Sequence, residues 1–140
     1  MKLSKLYSNN DAVFKPICFN EGFNVIYGKV KRPKETDKDS HNLGKTLLIS
    51  LIDFVLLKEL AQGHFLYDNK SKFRYMEFYL EILTNSGKYL TIKRIVEKNS
   101  KISIKSHDEK HQNFTMLGDD DWNESMIPIK KAVKKVDSCL

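Results

Sequence analysis

Apolar and polar side chains alternate along two neighbouring runs, 73–83 and 89–97, which flank the turn-forming residues 84–87. In the first run every second side chain is apolar, namely Met76, Phe78, Leu80 and Ile82. A period of two is that of a β-strand with one buried face. Residues 101–105 continue the alternation. The pattern predicts an antiparallel β-subdomain of three strands over residues 73–105, in which the hairpin buries one face.

Three shorter runs near the N-terminus also have the composition of strands. Residues 3–8 and 13–19 are apolar and aromatic, and the turn formers at 9–11 separate them, so they predict an opening pair of strands. Residues 23–27 are largely β-branched or aromatic and lie between Gly22 and Gly28. This third run predicts a buried strand.

Two segments have the character of helices. Residues 46–60 are apolar almost all round, are too long for a strand and are followed by Gly63, so we expect a helix buried between layers with Gly63 at its C-cap. Behind Pro128, apolar residues recur at helical spacing, with lysines on the other face. The second pattern predicts an amphipathic helix over residues 127–140.

Two polar segments join these elements. Residues 29–40 are almost entirely Lys, Arg, Pro, Glu, Thr, Asp and Ser, with Val30 as the one residue able to join a core, so they predict a solvated charged insertion. Residues 106–123 predict a long, partly mobile connection. Its possible anchors are Phe114, Met116, Leu117 and Trp122.

Length and composition favour one globular domain spanning residues 1–140, since 41% of the residues are hydrophobic and 30% are charged. The net charge of +6 is modest and mixed in sign, so charge alone does not establish nucleic-acid binding. We find neither a signal peptide nor an apolar run of membrane-spanning length, and we expect a cytoplasmic protein with no membrane partner. Cys18 and Cys139 are expected to be reduced structural thiols.

The strongest chemical pattern is Gly44-Lys45-Thr46 at the start of the predicted apolar helix. A phosphate chain needs converging backbone N–H donors, a lysine for its charge and a hydroxyl that can hold Mg²⁺, and this triplet provides all three. The strict P-loop pattern fails, because Asp39 stands where its first glycine belongs. The nearest upstream glycine, Gly28, is separated from Gly44 by 15 residues.

Such a triplet also occurs by chance at helix starts, and it then serves only as a helix cap with Lys45 in water. The surroundings favour a nucleotide site, because a predicted strand ends at Gly28 and a predicted helix begins at Lys45. This strand-loop-helix context is what the phosphate-binding motif requires.

Residues 23–28, 41–48 and 51–56 together resemble the opening of SMC/RecN-like ABC-type P-loop ATPases, whose heads read G-x-N-G-x-G-K-S before an apolar helix. Within that group the chain is most similar to an uncharacterised bacterial branch that carries coiled-coil arms and has an insertion in the Walker A loop. The resemblance covers roughly the first 105 residues. It implies an α/β fold, the N-terminal lobe of an ABC-type head with an antiparallel β-subdomain.

The resemblance further implies ATP and Mg²⁺ as cofactors. Lys45 would contact the β and γ phosphates and Thr46 would ligate Mg²⁺, while the backbone amides of residues 42–46 wrap the phosphates. The implied cofactor-binding set is Gly28, Asn42, Leu43, Gly44, Lys45, Thr46 and Leu47. The chain departs from the family where Leu43 replaces a glycine.

Other parts of such an ATPase are missing from the sequence. Neither Gln62 nor Gln112 is placed as a Q-loop glutamine, and there is no apolar strand ending in Asp-Glu and no Leu-Ser-Gly-Gly type motif. The resemblance therefore implies a partner, either the C-terminal lobe of the same ATPase or a second copy of the head. It also implies a DNA-associated process. The alternative is a non-catalytic module that binds nucleic acid or protein.

Four further patterns have weaker functional interpretations. His41 borders the predicted phosphate loop, and His107 and His111 have a spacing found in zinc sites, but further ligands are lacking. An aromatic and basic sheet face would suit nucleic acid, although such tyrosines more often cover a core. Its members would be Tyr75, Tyr79, Tyr89, Lys93 and Arg94. The lysines at 130, 131, 134 and 135 form a positive helix face that is usually only solvated.

Overall fold

The structure is a computed structural model that describes residues 1–26 and 44–139. Its described part is a mixed α/β fold built on one six-stranded antiparallel sheet in the order β2-β1-β3-β4-β5-β6. The strands are β1 (Lys2–Ser8), β2 (Ile17–Cys18), β3 (Glu77–Leu83), β4 (Tyr89–Ile95), β5 (Lys101–His107) and β6 (Glu124–Pro128). The helices are α1 (Lys45–Val55), α2 (Phe65–Asp68), α3 (Lys70–Phe73) and α4 (Ile129–Cys139).

The predicted hairpin and its third strand are confirmed as β3, β4 and β5. Glu77 pairs with Ile95 and Leu83 with Tyr89, so the register places the turn at residues 84–88. Gly87 has φ 84°, a conformation that glycine adopts without steric cost. Both strands are shorter than predicted: Phe73 is the last residue of α3 and β3 begins only at Glu77, while β4 ends at Ile95.

The first face of the sheet carries the main apolar core. Phe78, Leu80 and Ile82 of β3 project from this face and are buried. Helix α1 covers β3 and β4, and α4 covers β5 and β6. The apolar side chains of α1 that complete the core are Leu48, Leu51, Phe54 and Val55. These side chains are spaced three, three and one residues apart, so they lie on one side of the helix, and α1 packs on the sheet through that side.

The prediction of a single buried face was wrong, because the second face of the sheet is covered as well. The segment after β5 folds back over it and places Trp122 on Tyr79, which stacks on Tyr7 with ring centroids 4.7 Å apart. Lys93 lies beneath the same indole, 5.1 Å from its ring centre. The polar residues that alternate with the core residues along the strands are therefore buried too, under a second layer of aromatic side chains.

A buried carboxylate ties this covering segment to the sheet. Glu81 has no exposed surface, and it accepts hydrogen bonds from the Ser4 hydroxyl at 2.6 Å and from the amides of His111 at 2.8 Å and Gln112 at 3.1 Å. Charge-assisted bonds of this kind offset the desolvation of a buried carboxylate. The connection 106–123 is thus anchored at Glu81 as well as at the predicted Trp122. Met116, also predicted as an anchor, is exposed.

Helix α1 ends earlier than the sequence predicts. Lys58 N–H donates to the Asp53 carbonyl and Leu57 N–H to the Phe54 carbonyl, which is the hydrogen-bond pair of a Schellman C-cap. Leu57 takes the left-handed position of this motif, at φ 73°. The predicted C-cap at Gly63 is therefore wrong.

The C-terminal region contains one confirmed helix and one unpredicted strand. The amphipathic helix predicted over 127–140 is α4, whose inner side chains Ala132 and Val136 are buried. Strand β6 immediately precedes it and pairs with β5. Among the described residues, the longest helices have 11 residues, and none is long and apolar enough to cross a membrane.

Candidate phosphate site at the start of helix α1

The site is built around the first turn of α1. Gly44 is the N-cap residue, with φ 80° and ψ 0°, and no side chain caps this helix end. Only glycine adopts such a left-handed conformation freely, so the residue type fits the position. The first backbone bond of the helix runs from the Leu48 amide to the Gly44 carbonyl, at 2.9 Å. The amides of Lys45, Thr46 and Leu47 therefore have no partner within the helix.

The surroundings of this turn suit an anion. The first turn of α1 contains no acidic residue, so nothing neutralises the positive end of the helix dipole from within it. Lys45 is half-buried and Thr46 is exposed, so the hydroxyl is open to a ligand. The arrangement can donate backbone N–H groups to phosphate oxygens, and it places an ammonium group and a hydroxyl on adjacent residues.

Part of the predicted site lies outside the described residues. Gly28, Asn42 and Leu43 are in this part, together with His41 and the charged insertion at 29–40. The structure accordingly brings together Gly44, Lys45, Thr46 and Leu47. The remainder of the P-loop prediction stays a prediction.

The prediction that residues 23–27 form a buried strand is wrong for its described part. Residues 23–26 are not in a strand, and Phe23, Val25 and Ile26 are 88%, 72% and 44% exposed. A strand needs a neighbour for its hydrogen bonds, and none of the described strands pairs with this segment. Leu47 and Ile49 of α1 are also exposed, at 38% and 56%. The side of α1 that carries them has no covering layer within the described residues.

The opposite end of α1 is held by Arg94, a residue whose role the sequence reasoning missed. Arg94 is 1% exposed, and its Nη1 donates to the carbonyls of Phe54 and, at 2.7 Å, of Lys58, while Nε donates to the Asn99 carbonyl at 2.7 Å. Its guanidinium also lies over the Phe54 ring, with Cζ 4.3 Å from the centroid. Burial lowers the pKa of Arg94 to about 10, so the group is charged at neutral pH.

A signal for this role was present in the alternation of β4. Leu90, Ile92 and Arg94 occupy successive positions on the core face, and their partners in β3 are Ile82, Leu80 and Phe78. An arginine at an apolar-face position indicates a buried polar target. The target here is the C-terminal end of α1.

The predicted aromatic and basic sheet face does not exist as a surface. Tyr79 and Lys93 are buried under Trp122, and Arg94 points to the other side of the sheet. Burial raises the pKa of Tyr79, and its phenol donates a hydrogen bond to Glu77. Of the predicted set, Tyr75 alone is strongly exposed, beside Arg74.

The two histidines with zinc-type spacing, His107 and His111, are not arranged as a metal site. His107 Nε2 lies 2.8 Å from the Thr91 hydroxyl and 3.9 Å from Glu81, and His111 contributes a backbone amide to the same carboxylate. Within residues 1–26 and 44–139, no three His, Cys, Asp or Glu side chains are grouped to hold a metal ion.

The lysine face of α4 is present. Lys130, Lys131 and Lys134 are exposed, whereas Lys135 pairs with Glu124. Besides the first turn of α1, the described surface thus carries an exposed lysine face on α4. Comparison of the chain with models of protein families, with curated proteins and with solved structures finds no match.

Proposed function

We propose that this chain is the nucleotide-binding N-terminal lobe of an SMC-like ABC-type ATPase, which binds Mg-ATP to drive head engagement in a DNA-associated process. Lys45 contacts the β and γ phosphates and Thr46 ligates Mg²⁺. The amides of residues 42–46 surround the phosphate chain, and Gly28 and Leu47 complete the site. In this proposal the P-loop is split by the insertion at 29–40.

The observation that carries the proposal is the start of α1. A left-handed glycine, a lysine and a threonine stand in sequence at a helix N-terminus that has neither a capping side chain nor an acid in its first turn. A Ser, Thr, Asp or Asn cap is better than a glycine cap by only a few tenths of a kcal/mol, and the left-handed φ of Gly44 would strain Ser or Thr at this position. Because Gly44 has no side-chain acceptor, it leaves the amides open to an external one.

The uncovered apolar side of α1 supports the partner part of the proposal. Leu47 and Ile49 on α1 are exposed, as are Phe23, Val25 and Ile26. Covering an aliphatic side chain of this size is worth roughly 1.5 to 3 kcal/mol when burial is complete. We propose that the C-terminal lobe of the same ATPase, or a second copy of the head, supplies the missing layer.

The proposal is tested by Mg-ATP binding to the parent chain and to Lys45→Ala, measured by calorimetry and by the shift in melting temperature. A ligand at 100 times its Kd stabilises the folded state by about 2.7 kcal/mol, so a specific site raises the melting temperature measurably. Lys45→Ala should abolish this rise without lowering the melting temperature of the free chain. Lys72→Ala, which removes an exposed lysine on α3, is the matched control and should bind as the parent does.

Equal affinity of the parent and Lys45→Ala would refute the assignment. The same samples should show negligible ATP turnover, because positioning and electrostatic stabilisation provide most of phosphoryl-transfer catalysis. The sequence has no signature motif to provide them, and its Asp-Glu pair, Asp108-Glu109, follows β5 as two exposed residues. An ordinary turnover rate from the purified chain would show that the catalytic groups are elsewhere than proposed.

A second candidate is favoured by the exposed lysines of α4. In it the chain is a non-catalytic module, Gly44-Lys45-Thr46 only starts a helix, and Lys130, Lys131 and Lys134 contact nucleic acid or an acidic protein. This candidate predicts DNA binding that weakens steeply with salt, and no change in melting temperature with Mg-ATP. The two functions therefore give opposite results in the nucleotide titration.

A further inference from the structure

A cleft lies at the end of α1 that is remote from Gly44. It has a volume of about 570 Å³ and runs between the residues that follow α1 and the start of α4. Its size is within the range of small-molecule sites in proteins. Arg94, Asn99, Ser100 and Lys130 contribute polar groups to its wall.

Arg94 is the buried charge of this cleft. Nε and Nη1 are engaged with three main-chain carbonyls, whereas Nη2 makes no hydrogen bond with the described residues. No carboxylate of the described residues forms an ion pair with this guanidinium. A buried charge is ordinarily paired, because desolvation without a counter-charge is costly. The free edge of Arg94 on the cleft wall is therefore a position for an anion.

The start of α4 adds to the positive potential on the other wall. Helix α4 begins at Ile129, whose amide donates to the Ser100 carbonyl at 3.1 Å and fixes the helix start against the cleft. The next amides, of Lys130 and Lys131, have no intrahelical acceptor, and the helix dipole favours negative charge there. The exposed Lys130 side chain lines the same cleft.

The rest of the wall determines which anion fits. Leu57, Leu60 and Ile129 give the cleft an apolar side next to the polar one. The carboxylate of Glu59 is exposed and also lines the cleft, so it competes with any anion that enters. The described residues give the cleft three positive groups: the Arg94 guanidinium, the Lys130 ammonium group and the start of α4. Among the described residues that line it, the Glu59 carboxylate is the one negative group, so the net positive charge favours a dianion over a monoanion.

We propose that this cleft binds a phosphate monoester, with the phosphoryl group between Arg94 and the start of α4 and the ester's apolar or aromatic body against Leu57, Leu60 and Ile129. The site is separate from the phosphate turn at Gly44, at the opposite end of the same helix. Arg94 holds the C-terminal end of α1, so an occupied cleft adds a contact to the group that fixes this helix.

The test is an NMR titration of the ¹⁵N-labelled full chain with three probes at constant ionic strength. The probes are phenyl phosphate, inorganic phosphate and dimethyl phosphate, and the signals are the Arg94 Nε–H and the amides of Lys130 and Lys131. We expect saturable shifts with the two dianions, tighter binding of phenyl phosphate, and no saturation with the diester. Lys45→Ala should leave these shifts unchanged, which separates the cleft from the proposed nucleotide site.

Three surface variants sharpen the test without disturbing Arg94. Lys130→Gln should weaken phenyl phosphate binding about threefold to tenfold, because one charge contact is lost. Lys134→Gln, one turn further along the same helix and outside the cleft, should change it less than about twofold. Glu59→Gln should tighten binding, since a competing carboxylate is removed.

Non-saturable shifts with all three probes would overturn the proposal. So would equal effects of Lys130→Gln and Lys134→Gln, because these would indicate a diffuse positive helix face. Equal binding of dimethyl phosphate and phenyl phosphate would overturn the choice of a monoester and point to the backbone of a nucleic acid. Unchanged binding in Glu59→Gln would contradict the assigned position of the phosphoryl group.

Discussion

Replacing Arg94 by methionine should destabilise the fold strongly although this arginine has no acidic partner among the described residues. Arg94→Met keeps an unbranched apolar stem of similar length and removes the guanidinium. The carbonyls of Phe54, Lys58 and Asn99 then lose their donor. The end of α1 that packs on the sheet through Phe54 and Val55 loses its polar attachment.

The magnitude follows from two opposing terms. Three hydrogen bonds from a charged donor contribute together roughly 4 to 9 kcal/mol. The desolvation of the guanidinium opposes this contribution. Burial lowers the pKa of Arg94 from 12.5 to about 10, which corresponds to a cost of about 3 kcal/mol. The expected net loss in the free energy of unfolding is therefore about 1 to 6 kcal/mol.

The assay is urea unfolding followed by circular dichroism, with Arg74→Met as the matched control. Arg74 is exposed and forms an ion pair with Glu97, so its replacement should cost less than about 1 kcal/mol. Hydrogen exchange of the last amides of α1 should accelerate in Arg94→Met and not in Arg74→Met. A free energy of unfolding for Arg94→Met within about 0.5 kcal/mol of the parent would refute the reasoning, as that is the ordinary scatter of surface substitutions.

Three further predictions concern the second layer and the phosphate turn. Glu81→Gln should lower the free energy of unfolding by about 2 to 4 kcal/mol in urea unfolding, because an amide cannot accept from all three donors. Burial raises the pKa of Tyr7 and Tyr79, so their contribution to stability is intact below about pH 10 and is lost as pH rises above it. Each residue adds about 1.4 kcal/mol per pH unit to that loss, and replacing both by phenylalanine should flatten the decline in urea unfolding at alkaline pH. Gly44→Ala should cost about 1 to 2 kcal/mol because of its φ of 80°, since no atom of the described residues lies within 4 Å of the added Cβ. Gly22→Ala lacks a positive φ and should not carry this cost; equal stability of the two variants would contradict the assigned conformation.

The strands β3, β4 and β5 and the helix α4 could be predicted because their patterns are local. Each of these elements has seven residues or more, and along it apolar residues recur with the period of the strand or helix that they form. Strand β6 has five residues, and Met126 within it adopts φ 49°. Its pairing with β5 is a long-range property that no short window of sequence contains.

The second layer could not be predicted because buried polar residues have the same pattern as solvated ones. Glu81, Thr91 and Lys93 alternate with apolar residues, as the outer face of a half-exposed sheet would. What distinguishes them is that the chain after β5 returns over the sheet with an aromatic side chain and two amide donors. That return depends on the tertiary path of residues 107–122.

For the candidate site, sequence and structure differ most in the burial of α1. The sequence predicts burial on all sides of this helix, and the fold covers the stripe of Leu48, Leu51 and Phe54 while Leu47 and Ile49 stay exposed. An exposed β-branched isoleucine contributes nothing to a helix by propensity, since its χ1 freedom is reduced there. Two apolar side chains beside a phosphate-type turn are therefore better explained by a surface that meets another layer than by the needs of this fold. The nucleotide titration bears on the proposed lobe, because that proposal places ATP at Lys45, at the same end of the helix as Leu47 and Ile49.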